Sequence, residues 1–76
     1  MSDVMAKERF IEIILNDLPQ QVAADSSLED LIRELEERDP DLIVELNGRF
    51  VYPRDYATTI VGAGDRLEFI NPNFGG

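Results

Sequence analysis

The 76-residue sequence has no cysteine and no histidine, and its single lysine is Lys7. Each absence closes a class of chemistry. Without cysteine there is no disulfide framework, no thiolate metal site and no cysteine nucleophile. Without histidine the usual general base near neutral pH, the commonest zinc ligand and any serine–histidine pair are missing. Because no lysine follows position 7, Gly62-Ala63-Gly64 cannot belong to a phosphate loop, which needs a lysine just after its glycines. Those residues read as a turn. Asp39-Pro40-Asp41 lacks the spaced glycine and closing glutamate of a calcium loop and reads as solvated turn residues. No apolar run approaches the roughly 20 residues of a membrane span. Residues 1–9 lack the apolar core of a signal peptide. A cytoplasmic protein that is not itself an enzyme and touches no membrane is expected.

What is present is acid and a modest apolar complement. The net charge is −9, and 43% of residues are hydrophobic, enough for one small folded core. Phosphate binding needs clustered Lys and Arg, so nucleic acid is excluded as a partner. A basic protein surface is the electrostatic complement.

The pattern along the chain is that of an α+β domain. Residues 1–9 show no clean period and read as a loosely ordered N-terminal extension. Phe10–Leu15 is dense in β-branched residues and predicts a first strand. Asn16-Asp17-Leu18-Pro19 supplies turn formers, and Gln20–Ala24 a short second strand. Leu28, Leu31, Ile32 and Leu35 fall at i, i+3, i+4 and i+7, which predicts a helix. Ser27 with Asp30, or Ser26 with Glu29, would cap it; Arg38 lies near its far end and Pro40 stops it. Leu42–Leu46 predicts a third strand, Asn47-Gly48 a tight turn and Arg49–Tyr52 a fourth strand. Residues 54–61 read as a turn or single helical turn, with Tyr56 and Ile60 covering the core. After the turn at 62–65, Arg66–Ile70 alternates as a last strand. This order predicts a β-grasp, or ubiquitin-like, fold: a mixed sheet of four to five strands with one main helix over residues 10–70. Residues 71–76 form an expected flexible tail.

That tail ends in Phe74-Gly75-Gly76. Two glycines have backbone freedom and almost no bulk, so they can thread a narrow cleft in another enzyme. Six extended residues reach about 20 Å, enough to carry the Gly76 carboxylate into a partner's active site. Phe74 is a candidate anchor for a partner pocket, or folds back on the domain. Strand alternation turns Glu12, Glu45 and Glu68 away from the helix. On neighbouring first, third and fifth strands they would form an acidic row for a basic partner, or simply a solvated face.

Taken together, Val44-Glu45-Leu46-Asn47-Gly48, Val51-Tyr52-Pro53-Arg54, Gly64-Asp65-Arg66-Leu67-Glu68-Phe69 and the closing Gly75-Gly76 resemble the ThiS family of sulfur carriers, over residues 10–76. The resemblance implies a carrier that binds no cofactor itself. A ThiF-like adenylating enzyme would use ATP and Mg²⁺ to activate the Gly76 carboxylate, and a sulfur donor protein would convert it to a thiocarboxylate. A ThiG-like thiazole synthase would then take the sulfur for thiamine biosynthesis. Residues 1–9, Tyr52 before Pro53, and Pro72-Asn73-Phe74 before the glycines depart from the usual pattern. Alternatives are a MoaD-like small subunit of molybdopterin synthase or a carrier for another sulfur metabolite. Outside that class stand a ubiquitin-like protein modifier and a non-covalent acidic binding module.

Overall fold

The computed structural model describes residues 9–72. Its elements are β1 (Phe10–Leu15), β2 (Leu18–Ala23), α1 (Leu28–Glu34), β3 (Ile43–Leu46), β4 (Arg49–Val51), a 3-10 turn (Pro53–Asp55) and β5 (Arg66–Ile70). The five strands form one sheet in the order β2-β1-β5-β3-β4. β1 and β5 run parallel at its centre, and every other pairing is antiparallel. This is the β-grasp arrangement expected from the sequence.

Both hairpins turn on two residues with positive φ: Asn16 (48°) with Asp17 (71°), and Asn47 (53°) with Gly48 (82°). Such turns match the twist of the strands they join. The first turn is tighter than the sequence suggested, so β2 begins at Leu18 and includes Pro19. Proline is tolerated there because β2 is an edge strand. Its partner Ile14 directs its own N–H to Asp65 on the far side, so the missing donor of Pro19 faces the free edge. Arg9 extends the ladder by one bond, accepting from the Ala24 N–H.

α1 starts as its sequence dictates. Ser27 Oγ accepts from the Asp30 N–H, and the Asp30 carboxylate accepts from the Ser27 N–H, both at 3.0 Å. The N–H groups of Leu28 and Glu29 donate to the carbonyls of Thr59 and Tyr56, which docks the helix on the 56–59 segment. Its end departs from expectation. α1 stops at Glu34, well before Arg38 and Pro40, and Arg33 is the basic residue of its last turn. Glu36 turns into the left-handed region at φ 57°. The Glu36 N–H donates to Arg33 O and the Glu37 N–H to Ile32 O, a Schellman closure with glutamate where glycine is usual.

The core lies between α1 and one face of the sheet. Ile13, Val22, Val44, Leu67 and Phe69 from the strands meet Leu28 and Leu31 from the helix, all buried. Val61 joins them rather than Ile60, which is half exposed. An isolated bridge pairs Ile60 with Ser27, and the Val61 N–H donates to Ser26 O. In that extended stretch alternate side chains point apart, so burying Val61 turns Ile60 outward. Tyr56 packs against the core as expected.

Candidate functional site

The sheet face turned away from α1 carries the predicted acidic residues, and register decides which of them meet. Glu45 on β3 lies directly opposite Glu68 on β5. Glu12 does not join them. β1 and β5 pair with Ile14 opposite Arg66, and the Glu12 carbonyl accepts from the Gly64 N–H. Glu12 is thus level with a residue four places before Glu68, about 13 Å along the strand.

What surrounds the glutamate pair is apolar. Phe50 is opposite Glu45 on its other side, and Ile43 is opposite Ile70 one step along the same face. Phe50 and Tyr52 are each 49% exposed and Ile70 36%, so three large apolar side chains lie open to solvent around two acids. The Phe50 and Tyr52 rings meet edge to face at 4.7 Å, and the Arg54 guanidinium sits 4.5 Å from the centre of the Tyr52 ring. These contacts link Phe50, Tyr52 and Arg54 into one half-exposed cluster on the sheet face. The sequence reading passed over Phe50 and Tyr52. A two-residue turn at Asn47-Gly48 fixes Val44 opposite Val51, and from that pairing alone both aromatics fall on the face of Glu45.

A second set of contacts ties this face to the strand that leads to the terminus. Asn47 Nδ2 donates to Asp65 Oδ1 (3.1 Å), while Asn47 Oδ1 accepts from the Arg66 N–H (2.9 Å). Asp65 Oδ2 accepts from the Gly62 N–H at 2.7 Å, and Gly64 supplies the positive φ of 83° that closes the turn. Arg66 then pairs with Asp17 at 2.8 Å. The separate Asn-Gly and Gly-Asp-Arg motifs are therefore one hydrogen-bonded unit, which locks the β3–β4 hairpin to β5. At the other end of β5 the chain leaves beside Ile43, and Asn71 Nδ2 donates to Glu37 Oε1 (3.2 Å) and Asp39 Oδ2 (3.0 Å). Phe74, Gly75 and Gly76 lie outside the described residues.

Among the described residues no cluster of acids is arranged to hold a metal ion, and no helix is long and apolar enough to cross a membrane. The arrangement offers an adhesive face and a fixed root for the terminal segment.

Comparison with known proteins agrees with this architecture. The ThiS family profile matches residues 8–76. The chain belongs to the ThiS family. A crystal structure of a ThiS thiamine biosynthesis protein from Geobacter metallireducens is similar at a TM-score of 0.77 and 28% identity, over 87% of this chain and 100% of that one. Comparison with curated proteins gives no match. The ThiS match runs through the Asn47-Gly48 turn, the Gly64-Asp65-Arg66 lock and the final Gly75-Gly76, the residues on which the sequence resemblance rested.

Proposed function

We propose that this protein is a sulfur carrier of thiamine biosynthesis that works through the carboxylate of Gly76. The observation that carries this reading is the ThiS family match, which extends to the last glycine. A ThiF-like enzyme joins the Gly76 carboxylate to the α-phosphorus of ATP, with Mg²⁺, and pyrophosphate leaves. The outer sulfur of a persulfide on a donor protein attacks the acyl-adenylate and displaces AMP. A second thiol of the partner proteins then cleaves the resulting acyl disulfide, leaving the thiocarboxylate on Gly76 and a disulfide on the partner side. A ThiG-like thiazole synthase accepts the sulfur. Every reacting group other than the carboxylate belongs to a partner, which accords with a chain that has neither cysteine nor histidine. Gly75 gives clearance in a narrow channel, since a side chain on the residue before the reacting one would jam it.

The activating enzyme docks on the outer sheet face. Phe50, Tyr52, Ile43 and Ile70 supply the apolar centre, and Glu45 and Glu68 call for basic groups opposite them. Exposed aromatics of this kind are the usual energetic centres of protein interfaces.

The test is intact-protein mass after incubation with an adenylating enzyme, ATP, Mg²⁺ and a sulfur source. The mass should rise by the difference between sulfur and oxygen, and a chain lacking Gly76 should not change. Loading of the truncated chain would overturn the proposal. Covalent high-mass conjugates in cell extract would point instead to a protein modifier.

A further inference from the structure

β2 is an edge strand that carries no charge. Leu18–Ala23 reads Leu-Pro-Gln-Gln-Val-Ala in a chain of net charge −9, whereas exposed edges are ordinarily guarded by charged side chains. Register against β1 shows which backbone groups of β2 are left over. Arg9 accepts from the Ala24 N–H, while Ile14 and Glu12 turn their backbone groups toward Asp65 and Gly64. Pro19, Gln21 and Ala23, paired with Ile14, Glu12 and Phe10, therefore direct theirs to the free edge. Pro19 has no N–H to offer there. The Ala23 carbonyl is already taken, accepting from Ser26 Oγ at 2.6 Å.

Those gaps fall where a copy of the same strand needs them. Laid antiparallel about Gln21, the strand sets Pro19 opposite Ala23 of a second copy. The Gln21 N–H and carbonyl then exchange bonds across the axis, and each Ala23 N–H reaches the other copy's Pro19 carbonyl. The absent donor of Pro19 meets the Ala23 carbonyl that Ser26 has taken, so no group is left wanting. Sliding the pairing either way ends this match. It sets Pro19 against the open Gln21 carbonyl, or the occupied Ala23 carbonyl against the Gln21 N–H. The geometry points to a symmetric dimer in which the β2 strands of two chains pair about Gln21 and join their sheets into one. It does not depend on the chemistry at Gly76.

The side chains agree with this pairing. Leu18 is 68% exposed and lies opposite Leu15, on the α1 side of the sheet. Across the axis it comes beside Ala24 of the second copy, at a groove of about 550 Å³ whose wall includes Ala24, Leu31 and Leu35. Asp17 and Asp25, which approach each other at the ends of the paired strands, each already have an arginine, Arg66 at 2.8 Å and Arg9 at 3.7 Å. The exposed Gln20 Nε2 touches the Gln21 carbonyl at 3.2 Å but leaves that oxygen a second lone pair. β2 and β4 are opposite edges of the sheet, so the pairing leaves the Glu45–Glu68 face open. A contact of one strand per chain belongs at the weak end of specific interfaces.

Sedimentation equilibrium of the isolated protein from micromolar to millimolar concentration, in physiological salt, tests this. The mean mass should climb from 8.6 kDa toward twice that value. Amide exchange at Gln21 and Ala23 should slow over the same range, while Val22, bonded to β1, should not change. Gln21→Lys sets two like charges against each other across the axis and should abolish the climb. It also makes the chain less negative, so relief of general repulsion alone would have the opposite effect. Leu18→Ala, at a mostly exposed position, should weaken the association without disturbing the fold. A mass that stays at 8.6 kDa throughout would overturn the proposal and leave the edge to a strand of another protein. A Gln21→Lys protein that associates like the natural one would also overturn it. So would loss of the climb in Phe50→Ala, by moving the contact to the aromatic face.

Discussion

Glu45 and Glu68 face each other directly across adjacent antiparallel strands, with Phe50 on the other flank of Glu45. Like charges so placed cost a sheet about 0.2–1 kcal/mol. Removing one should stabilise the isolated domain. Glu45→Gln is expected to raise stability by about 0.5 kcal/mol, or roughly 2–4 °C in Tm for a domain of this size. The same change should weaken binding to the activating enzyme. Thermal unfolding and a binding titration read the two effects, and a variant that loses both stability and affinity would refute the idea that the pair is kept for a partner.

The capping box predicts a pH dependence. The hydrogen bonds from the Ser27 backbone, the Arg33 side chain and Ser27 Oγ hold the Asp30 carboxyl below its ordinary value of 3.8. A carboxyl lowered on folding contributes stability that is complete above its unfolded value and is lost as pH falls through the folded one. The Tm difference between the natural protein and Asp30→Asn should therefore be constant from neutral pH down to about 5, and shrink below 3.8. Ser27→Ala should cost about 1 kcal/mol, because it strands the Asp30 N–H. A Tm difference for Asp30→Asn that instead grew on acidification would contradict the assignment.

Glu36 occupies the position after the C-cap at φ 57°, where a side chain is strained. The left-handed conformation costs an ordinary residue about 1–2 kcal/mol, and glycine returns about 0.5–1 kcal/mol of that as extra unfolded-state entropy. Glu36→Gly should therefore stabilise by about 0.5 kcal/mol with no change in fold. Urea denaturation is the direct measurement, and Glu36→Ala serves as the contrast because it keeps the strain.

The parts legible in the sequence were those decided locally. Ser27 and Asp30 cap the helix from three residues apart, and Asn47-Gly48 sets its hairpin without help. The misread parts depended on distant partners. The sequence pattern carries the helix too far because Glu36 stands where glycine usually signals a stop, leaving Pro40 as the only visible breaker. The inward choice of Val61 over Ile60 follows from a bridge to Ser27, more than 30 positions away. Alternation groups Glu12 with Glu45 and Glu68 because it gives the face of a residue but not its height. The height comes from the parallel register of Ile14 with Arg66, which no local pattern encodes.

That same register supplies the sharpest test of the docking face. If the partner senses only net charge, Glu12→Gln and Glu68→Gln should weaken association equally, since each removes one negative charge from the same sheet face. If it reads the cluster, Glu68→Gln should matter and Glu12→Gln should not, because Glu12 sits about 13 Å along the strand. The aromatics provide the larger signal. Phe50→Ala and Tyr52→Ala remove side chains that are half exposed, so each should leave Tm within a few degrees. Each should raise the Kd for the activating enzyme about tenfold or more, the mark of an interface centre. Tyr52 is also stacked by Arg54, so Arg54→Ala should reproduce part of the Tyr52→Ala loss by freeing the ring. Unchanged affinity in both aromatic variants, with the fold intact, would move the docking surface off this face altogether.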